Sequence, residues 1–121
     1  MKQQRVLLVE DDTALNDAFC ILLQKNGYEV KTTFNGQEAL EALGDFTPNI
    51  ILLDLLMPVM DGKEFLRRYT NSDNIPIIIF SNLDTKSEVQ EAIDLGATRY
   101  MLKAWATPHE LLRVIQDTVK K

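Results

Sequence analysis

Acidic residues directly follow two of the most apolar runs in the sequence. Glu10, Asp11 and Asp12 come after the run VLLV, and Asp54 comes after the run IILL. Carboxylates that converge without a cation raise one another's pKa values or cost stability. A hard divalent cation resolves this conflict, and so small a set of carboxylates suits Mg²⁺, which shares its ligands with phosphate. Asp54 beside such a metal is a candidate nucleophile for phosphoryl transfer, which needs mainly positioning and charge neutralisation.

Two further apolar runs end in a hydroxyl and in an ammonium group. Ser81 and Asn82 follow the run IIIF, and Lys103 follows the run YML. Lys103 would balance the charge that Asp54 gains with a phosphoryl group, and the Ser81 hydroxyl would donate to one of the phosphoryl oxygens. Ordinary solvated loop residues are the alternative interpretation, and the arrival of these groups at four run ends weighs against it.

Five short apolar runs alternate with five helical patterns. The predicted strands cover residues 5–10, 28–33, 49–54, 75–81 and 99–103. Four of them are uninterrupted apolar runs, which is typical of strands covered on both faces. Strand followed by helix, five times, predicts a parallel sheet with right-handed crossovers and helices on both faces. Ligands of such sheets bind outside the carboxyl ends of the strands, which is where the acids, the hydroxyl and the ammonium lie.

Helix patterns have recognisable faces and starts. The first helix carries an apolar stripe made of Leu15, Ala18, Phe19, Leu22 and Leu23. The fourth helix opens with the capping box Thr85-x-x-Glu88. The fifth opens with Thr107-Pro108-x-Glu110, a capping box with proline at the first helical position.

Composition limits the classes of function. The 121 residues are 45% apolar, which is enough for one core, so we expect a single domain over 1–121. A net charge of −5 argues against direct binding of nucleic acid or of an anionic membrane. A single cysteine, Cys20, allows no internal disulfide and suits a reducing cytoplasm. The sequence contains no export signal and no membrane span.

The motifs VLLVEDD, DLLMPVMDG, IIIFS and YMLK, in this order, resemble the receiver domain of two-component response regulators over essentially the whole chain. The resemblance implies a doubly wound, flavodoxin-like three-layer fold with strand order 2-1-3-4-5. It implies that Asp54 is the phosphoacceptor, and that Glu10, Asp11, Asp54 and the backbone carbonyl of Leu56 hold Mg²⁺. Asp12 matches less clearly and is interpreted as a helix cap or a second layer of the site.

The same resemblance assigns a switch and its partners. Ser81 takes the switch hydroxyl position, Tyr100 the switch aromatic position, and Lys103 the position of the phosphate-sensing ammonium. Phosphorylation would shift a surface made by the fourth helix, the fifth strand and the fifth helix toward a partner-binding state. The expected partners are a histidine kinase or phosphotransfer protein, a downstream protein, and a second copy in a phosphorylation-dependent homodimer. The chain would take part in its own phosphorylation and dephosphorylation without being an enzyme.

Two departures from the family pattern matter. Lys103 is followed by Ala104, where the family usually has a proline joined through a cis bond. A cis bond to a residue other than proline costs about 2.5–4 kcal/mol, so we expect either a trans bond with a rearranged loop or a strained cis bond. Trp105 is interpreted either as an exposed partner contact or as a ring folded over the sheet edge.

The second departure concerns Leu56 and Leu83, which occupy the two positions whose side chains influence hydrolysis of the acyl phosphate in the family. Neither leucine can orient a water molecule, which predicts slow self-dephosphorylation.

Three rival functions can be tested against the residues of the sequence. A haloacid dehalogenase-type phosphatase would need a second aspartate at the position of Leu56, which cannot act as an acid or a base. A flavodoxin-like flavin carrier would need a hydroxyl- and glycine-rich loop after the first strand, where EDD would repel the phosphate. A degenerate receiver that works as a constitutive protein-interaction module stays open at this point.

Overall fold

A five-stranded parallel sheet forms the centre of the protein. The computed structural model describes residues 3–83, 85–104 and 107–119. The strands are β1 Arg5–Val9, β2 Glu29–Thr33, β3 Ile50–Leu53, β4 Ile77–Ser81 and β5 Arg99–Leu102. All neighbours pair in parallel, and the order is β2-β1-β3-β4-β5. The predicted fold class and strand order are confirmed.

Five helices cover the two faces of the sheet. They are α1 Thr13–Lys25, α2 Gly36–Ala42, α3 Gly62–Arg68, α4 Lys86–Asp94 and α5 Pro108–Val119. One core cluster joins the sheet to α1 and α5, and the other joins it to α2, α3 and α4. Alternate strand residues point into the two clusters, because successive side chains of a strand point to opposite faces. Both clusters therefore depend on the continuous apolar runs of β1, β3 and β4.

The edge strand β5 is less covered than its sequence predicts. In β3 and β4 every residue is buried, whereas Arg99 of β5 is exposed and the other three residues are half-buried. The expectation that the apolar run of β5 is covered on both faces is wrong. The physical reason is position, because β5 pairs with β4 alone and only α4 and α5 lie beside it.

The buried face of helix α1 overlaps its predicted apolar stripe, in which Leu23 is fully buried, but is shifted to one side of it. Ala18 is exposed, and Leu15, Phe19 and Leu22 are half-buried. The two buried residues of α1 are Asn16 and Leu23. The helix is rotated so that a polar residue, rather than the centre of the apolar stripe, faces the sheet. The position of Asn16 has consequences for the site described below.

Side-chain caps begin helices α4 and α5 as the sequence predicts. The backbone N–H of Glu88 donates to Thr85 Oγ1 at 3.2 Å, and the N–H of Glu110 donates to Thr107 Oγ1 at 3.1 Å. The Glu88 carboxylate, which a full capping box would turn back to the helix start, pairs with Lys63 of α3 instead. In the described part of the chain, no helix combines the length and the apolar character that crossing a membrane requires.

Candidate functional site

Strand register places Glu10 and Asp54 side by side. Val9 at the end of β1 pairs with Leu53 at the end of β3, and the Asp54 N–H donates to the Val9 carbonyl at 3.0 Å. Both acidic residues lie one position past their strands and remain buried, with exposed fractions of 2% for Glu10 and 5% for Asp54. Buried carboxylates need partners because ionised groups are poorly stabilised away from water. The acidic residues that follow the apolar runs VLLV and IILL therefore include a pair of buried, adjacent carboxylates, Glu10 and Asp54.

The residues predicted to hold a metal come together. Glu10, Asp11 and Asp54 each offer one carboxylate oxygen, and these three oxygens lie within 4.8 Å of one another. Oxygen ligands of Mg²⁺ lie at about 2.0–2.1 Å from the ion, so oxygens within this range can share one ion after small movements. Asp12 instead caps α1, where its Oδ1 accepts from the Leu15 N–H at 3.1 Å. The chemistry and the spacing of the three donors fit a magnesium ion.

Lys103 neutralises the two buried acids. Its Nζ lies 2.7 Å from Asp54 Oδ2 and 2.7 Å from Glu10 Oε1. Burial raises the pKa of Glu10, and the hydrogen bond from Lys103 opposes that effect. Burial by itself would lower the pKa of Lys103, but its hydrogen bonds to Asp54 and Glu10 raise this pKa above its usual value. The ammonium group therefore stays charged between two carboxylates.

The peptide bond that follows Lys103 is trans, and Lys103 contacts Asp54 with this bond in place. The described residues contain no cis peptide bond, so the Lys103–Ala104 bond is trans, the first of the two expected alternatives. The Lys103 N–H also donates to the Ser81 carbonyl at 3.0 Å, which extends the pairing of β4 and β5 by one residue. Trp105, with its two alternative interpretations, lies outside the described residues.

Ser81 and Tyr100 meet at the loop that follows β4. Ser81 is fully buried, and its Oγ accepts from the Leu83 N–H at 3.3 Å. The Tyr100 hydroxyl donates to the Leu83 carbonyl at 2.5 Å. Burial raises the pKa of Tyr100. Leu83 thus joins the hydroxyl and the aromatic ring that the sequence predicts to act together.

The loop between β3 and α3 has a tight and a strained position. A Cβ on Gly62 would lie 2.4 Å from the Asp54 carbonyl oxygen and 2.8 Å from Leu55 Cα, so only glycine lets α3 begin this close to Asp54. Val59 has a φ of 68°, which is unfavourable for a β-branched residue, and its side chain is 84% exposed. The Leu56 N–H donates to Asp54 Oδ1 at 3.3 Å, while the Leu56 side chain is exposed.

Two buried polar neighbours of the acids were not found from the sequence. Asn16 donates from Nδ2 to the carbonyls of Glu10 and Thr33, at 2.9 Å and 3.0 Å. Thr33, which received no role, is buried and donates from its hydroxyl to the Leu8 carbonyl at 2.9 Å. An asparagine one residue from the apolar stripe of α1 was the available signal, although such residues usually face solvent.

Comparisons with known proteins identify the family of this chain. Residues 6–116 match the family described as the response regulator receiver domain. Response regulator MprA of Mycobacterium ulcerans is 35% identical over 111 residues, which cover 91% of this chain and 48% of that protein. MprA of Mycolicibacterium vanbaalenii is 34% identical with the same coverage. The chain therefore spans about half the length of the curated relatives it matches.

Solved structures show the same fold. A CheY-like receiver domain protein from Methanospirillum hungatei JF-1 superposes with a TM-score of 0.91 at 27% identity, covering 98% of this chain and 95% of that one. Chemotaxis response regulator CheY4 of Vibrio cholerae superposes with a TM-score of 0.87 at 31% identity, covering 97% and 99%. Domains of this family serve signal transduction in two-component systems and are not classical enzymes. By sequence and by structure, this chain belongs to the response regulator receiver domain family.

Proposed function

We propose that the protein is a phosphorylation-dependent switch of a two-component system and that Asp54 is its phosphoacceptor. The observation that carries this proposal is the contact of Lys103 Nζ with Asp54 Oδ2, at the point where the carboxylates of Glu10 and Asp11 converge. Glu10, Asp11, Asp54 and the backbone carbonyl of Leu56 would hold Mg²⁺. A buried nucleophile, a cation and a cluster of carboxylates that can hold Mg²⁺ are the parts that acyl phosphate formation requires.

The transfer is a displacement at phosphorus. A carboxylate oxygen of Asp54 forms a bond to phosphorus, and the bond from phosphorus to the donor's leaving group breaks. Mg²⁺, when bound, supplies charge neutralisation to the phosphoryl oxygens. Lys103 turns from Glu10 and Asp54 toward the new phosphoryl oxygens. The Ser81 hydroxyl, whose Oγ accepts from the Leu83 N–H, moves to donate a hydrogen bond to one of these oxygens.

The signal then reaches the surface through Leu83. Ser81 and Tyr100 both bond to the backbone of Leu83, so a movement of Ser81 toward the phosphoryl group changes the loop that Tyr100 holds. This loop leads into α4. Phosphorylation would therefore redistribute the surface of α4, β5 and α5 between two arrangements, one of which a downstream protein binds better.

The proposed partners follow from this chemistry. A histidine kinase or phosphotransfer protein would supply the phosphoryl group, and a downstream protein or a second phosphorylated copy would bind the altered surface. The net charge of −5 argues against direct binding of nucleic acid by this chain. The cytoplasm is the compartment in which such a donor and this single-cysteine chain would meet.

The acyl phosphate should be long-lived. Leu56 lies two residues after Asp54 and Leu83 two residues after Ser81, and neither side chain carries a group that can orient a water molecule toward phosphorus. We therefore propose slow self-dephosphorylation. A half-life of seconds for the isolated phosphorylated protein would contradict this part of the proposal, and Leu56→Asn is expected to shorten the half-life.

Intact mass spectrometry tests the central claim. The wild type and Asp54→Asn are incubated with phosphoramidate or acetyl phosphate, with and without Mg²⁺. We expect the wild type to gain one phosphoryl group only with Mg²⁺, and we expect no gain in Asp54→Asn. Asp45→Asn, at an exposed turn after α2, is the matched control and should behave like the wild type. No gain in the wild type would favour the constitutive interaction module instead.

A further inference from the structure

The inference concerns Asn16, a polar residue buried in α1. Asn16 is 1% exposed, and its Nδ2 bridges the carbonyls of Glu10 and Thr33. These carbonyls lie at the carboxyl ends of the neighbouring strands β1 and β2. A leucine or alanine facing the sheet would pack there without burying a polar group, so the buried amide needs a reason beyond packing.

The reason is found in the bonding of Glu10. Its N–H donates to the Thr33 carbonyl at 3.1 Å, and its own carbonyl accepts from Asn16. Its Oε1 accepts from Lys103, and its Oε2 accepts from the Asp12 N–H at 3.1 Å. Glu10 lies beyond the end of β1, so Asn16 supplies the bond to its carbonyl that a longer sheet ladder would have supplied.

The length of the Glu10 side chain increases the importance of this bond. Glutamate has one more rotatable bond than aspartate, so more conformational entropy is lost when its carboxylate is held in one place. The two Asn16 contacts also determine the orientation of the amide, because two carbonyl oxygens at hydrogen-bond distance require the NH₂ group between them. Asn16 Oδ1 is left buried without a hydrogen-bond partner in the described part of the chain. The Asn16 amide therefore stabilises the two strand ends although its own oxygen is left buried without a hydrogen bond.

We propose that Asn16 is a positioning residue for the metal site. By holding the Glu10 backbone, it keeps the Glu10 carboxylate where it can bind the same Mg²⁺ as Asp11 and Asp54. This inference rests on the proposed function, because it assumes that these carboxylates bind Mg²⁺. Residues that orient metal ligands typically change metal affinity by about 10–100-fold when they are replaced.

The test is the Mg²⁺ dissociation constant of the whole chain, measured by titration calorimetry for the wild type and Asn16→Leu. We expect Asn16→Leu to bind Mg²⁺ about tenfold more weakly. We also expect its phosphorylation rate with phosphoramidate to return to the wild-type value once Mg²⁺ is saturating. The matched control is Asn26→Ala, which removes a hydrogen bond from an exposed asparagine of the same helix region to the Leu22 carbonyl. Asn26→Ala should bind Mg²⁺ as the wild type does.

The outcomes separate the inference from the proposed function. Wild-type Mg²⁺ affinity in folded Asn16→Leu would overturn the inference, even if the unfolding free energy falls, because a purely structural role predicts that result. If Asn16→Leu does not fold, Asn16→Ser replaces it. The serine hydroxyl has one proton and can bond at most one of the two carbonyls, so unchanged Mg²⁺ affinity would again overturn the inference. A wild type that binds no Mg²⁺ would overturn both proposals.

Discussion

Two regions at the carboxyl edge of the sheet are held in very different ways. The first, which we call the fixed region, consists of β1, β3 and the residues Glu10 and Asp54 that follow them. Strand β3 is buried throughout, and every polar group of Glu10 has a hydrogen-bond or ion-pair partner. The second, which we call the exposed region, consists of α4 and β5. Helix α4 has one buried residue, Ala92, and no residue of β5 is fully buried.

This difference indicates how a receiver domain divides its tasks. The phosphoryl transfer that we propose at Asp54 needs atoms that stay in place, and a strand buried on both faces supplies them. A surface that changes its arrangement must come from a part of the fold with few buried apolar contacts. The exposed region meets this condition, and the Tyr100–Leu83 hydrogen bond joins it to Ser81 at the border of the fixed region.

The largest expected difference is in the free energy of unfolding when one isoleucine of each region is replaced by alanine. Ile51→Ala removes a fully buried side chain of β3 and should lower the free energy of unfolding by about 2–5 kcal/mol. Ile93→Ala removes a side chain of α4 that is 39% exposed and should cost less than about 1 kcal/mol. Urea unfolding measures both values. Equal losses would show that α4 is held as firmly as the central strands.

Removing the cation that joins the regions should have the next largest effect. Lys103→Met leaves Glu10 and Asp54 without their counter-ion. The loss should stay below the roughly 3–5 kcal/mol of a fully buried broken pair, because the lysine side chain is 16% exposed. Mg²⁺ should restore part of the lost stability, since it neutralises the same carboxylates. Urea unfolding with and without Mg²⁺ measures this, and Lys31→Met, an exposed lysine of β2, is the control.

The pH dependence of this contact has a defined sign. Because the pKa of Lys103 is raised above its usual 10.5, the stability it contributes is fully present below that pH. The contribution is lost as the pH rises through the raised value. A wild type and Lys103→Met whose unfolding free energies differ equally at pH 7 and above the raised pKa would contradict this assignment.

Loss of the Tyr100 hydroxyl should have a smaller effect, confined to the exposed region and the loop between β4 and α4. Tyr100→Phe removes the hydrogen bond to the Leu83 carbonyl, which is worth about 0.5–1.5 kcal/mol. Hydrogen exchange at the amides of the loop after β4 should become faster, while exchange in β1 and β3 stays unchanged. Tyr69→Phe, at the far end of α3, is the control. Faster exchange throughout the sheet would mean that the two regions unfold as one unit.

The ion pairs between α3 and α4 should give the smallest effect. Lys63 contacts Glu88 and Glu91, and Glu91 also contacts Arg67. Hydrogen bonding from Lys63 lowers the pKa of Glu91, so this contribution is present above pH 4.5 and is lost as the pH falls through the lowered value. A double-mutant cycle of Lys63→Met and Glu91→Gln should show a weak coupling that high salt removes. A coupling insensitive to salt would contradict a solvent-exposed pair.

Much of the site could be predicted from the sequence because it depends on strand ends. Parallel strands bring their carboxyl ends to one edge, so the residues after four apolar runs, among them Glu10, Asp54, Ser81 and Lys103, had to be neighbours. The contacts around Leu83 could not be predicted in this way. They depend on the path of a loop, and a loop path is decided by hydrogen bonds that the local sequence does not specify.

The sequence alone determined the parallel sheet and the meeting of the acids with Lys103, because apolar periodicity and chain order specify these features. The strand order followed only from the resemblance of its motifs to the receiver family. The tertiary structure decided which face of α1 is buried, how far β5 is covered, and that Asn16 and Thr33 support Glu10. The physical reason is that these features depend on which neighbour satisfies each buried polar group. A helix pattern shows which residues are apolar, but only the packed molecule shows that an asparagine is bonded at the sheet edge.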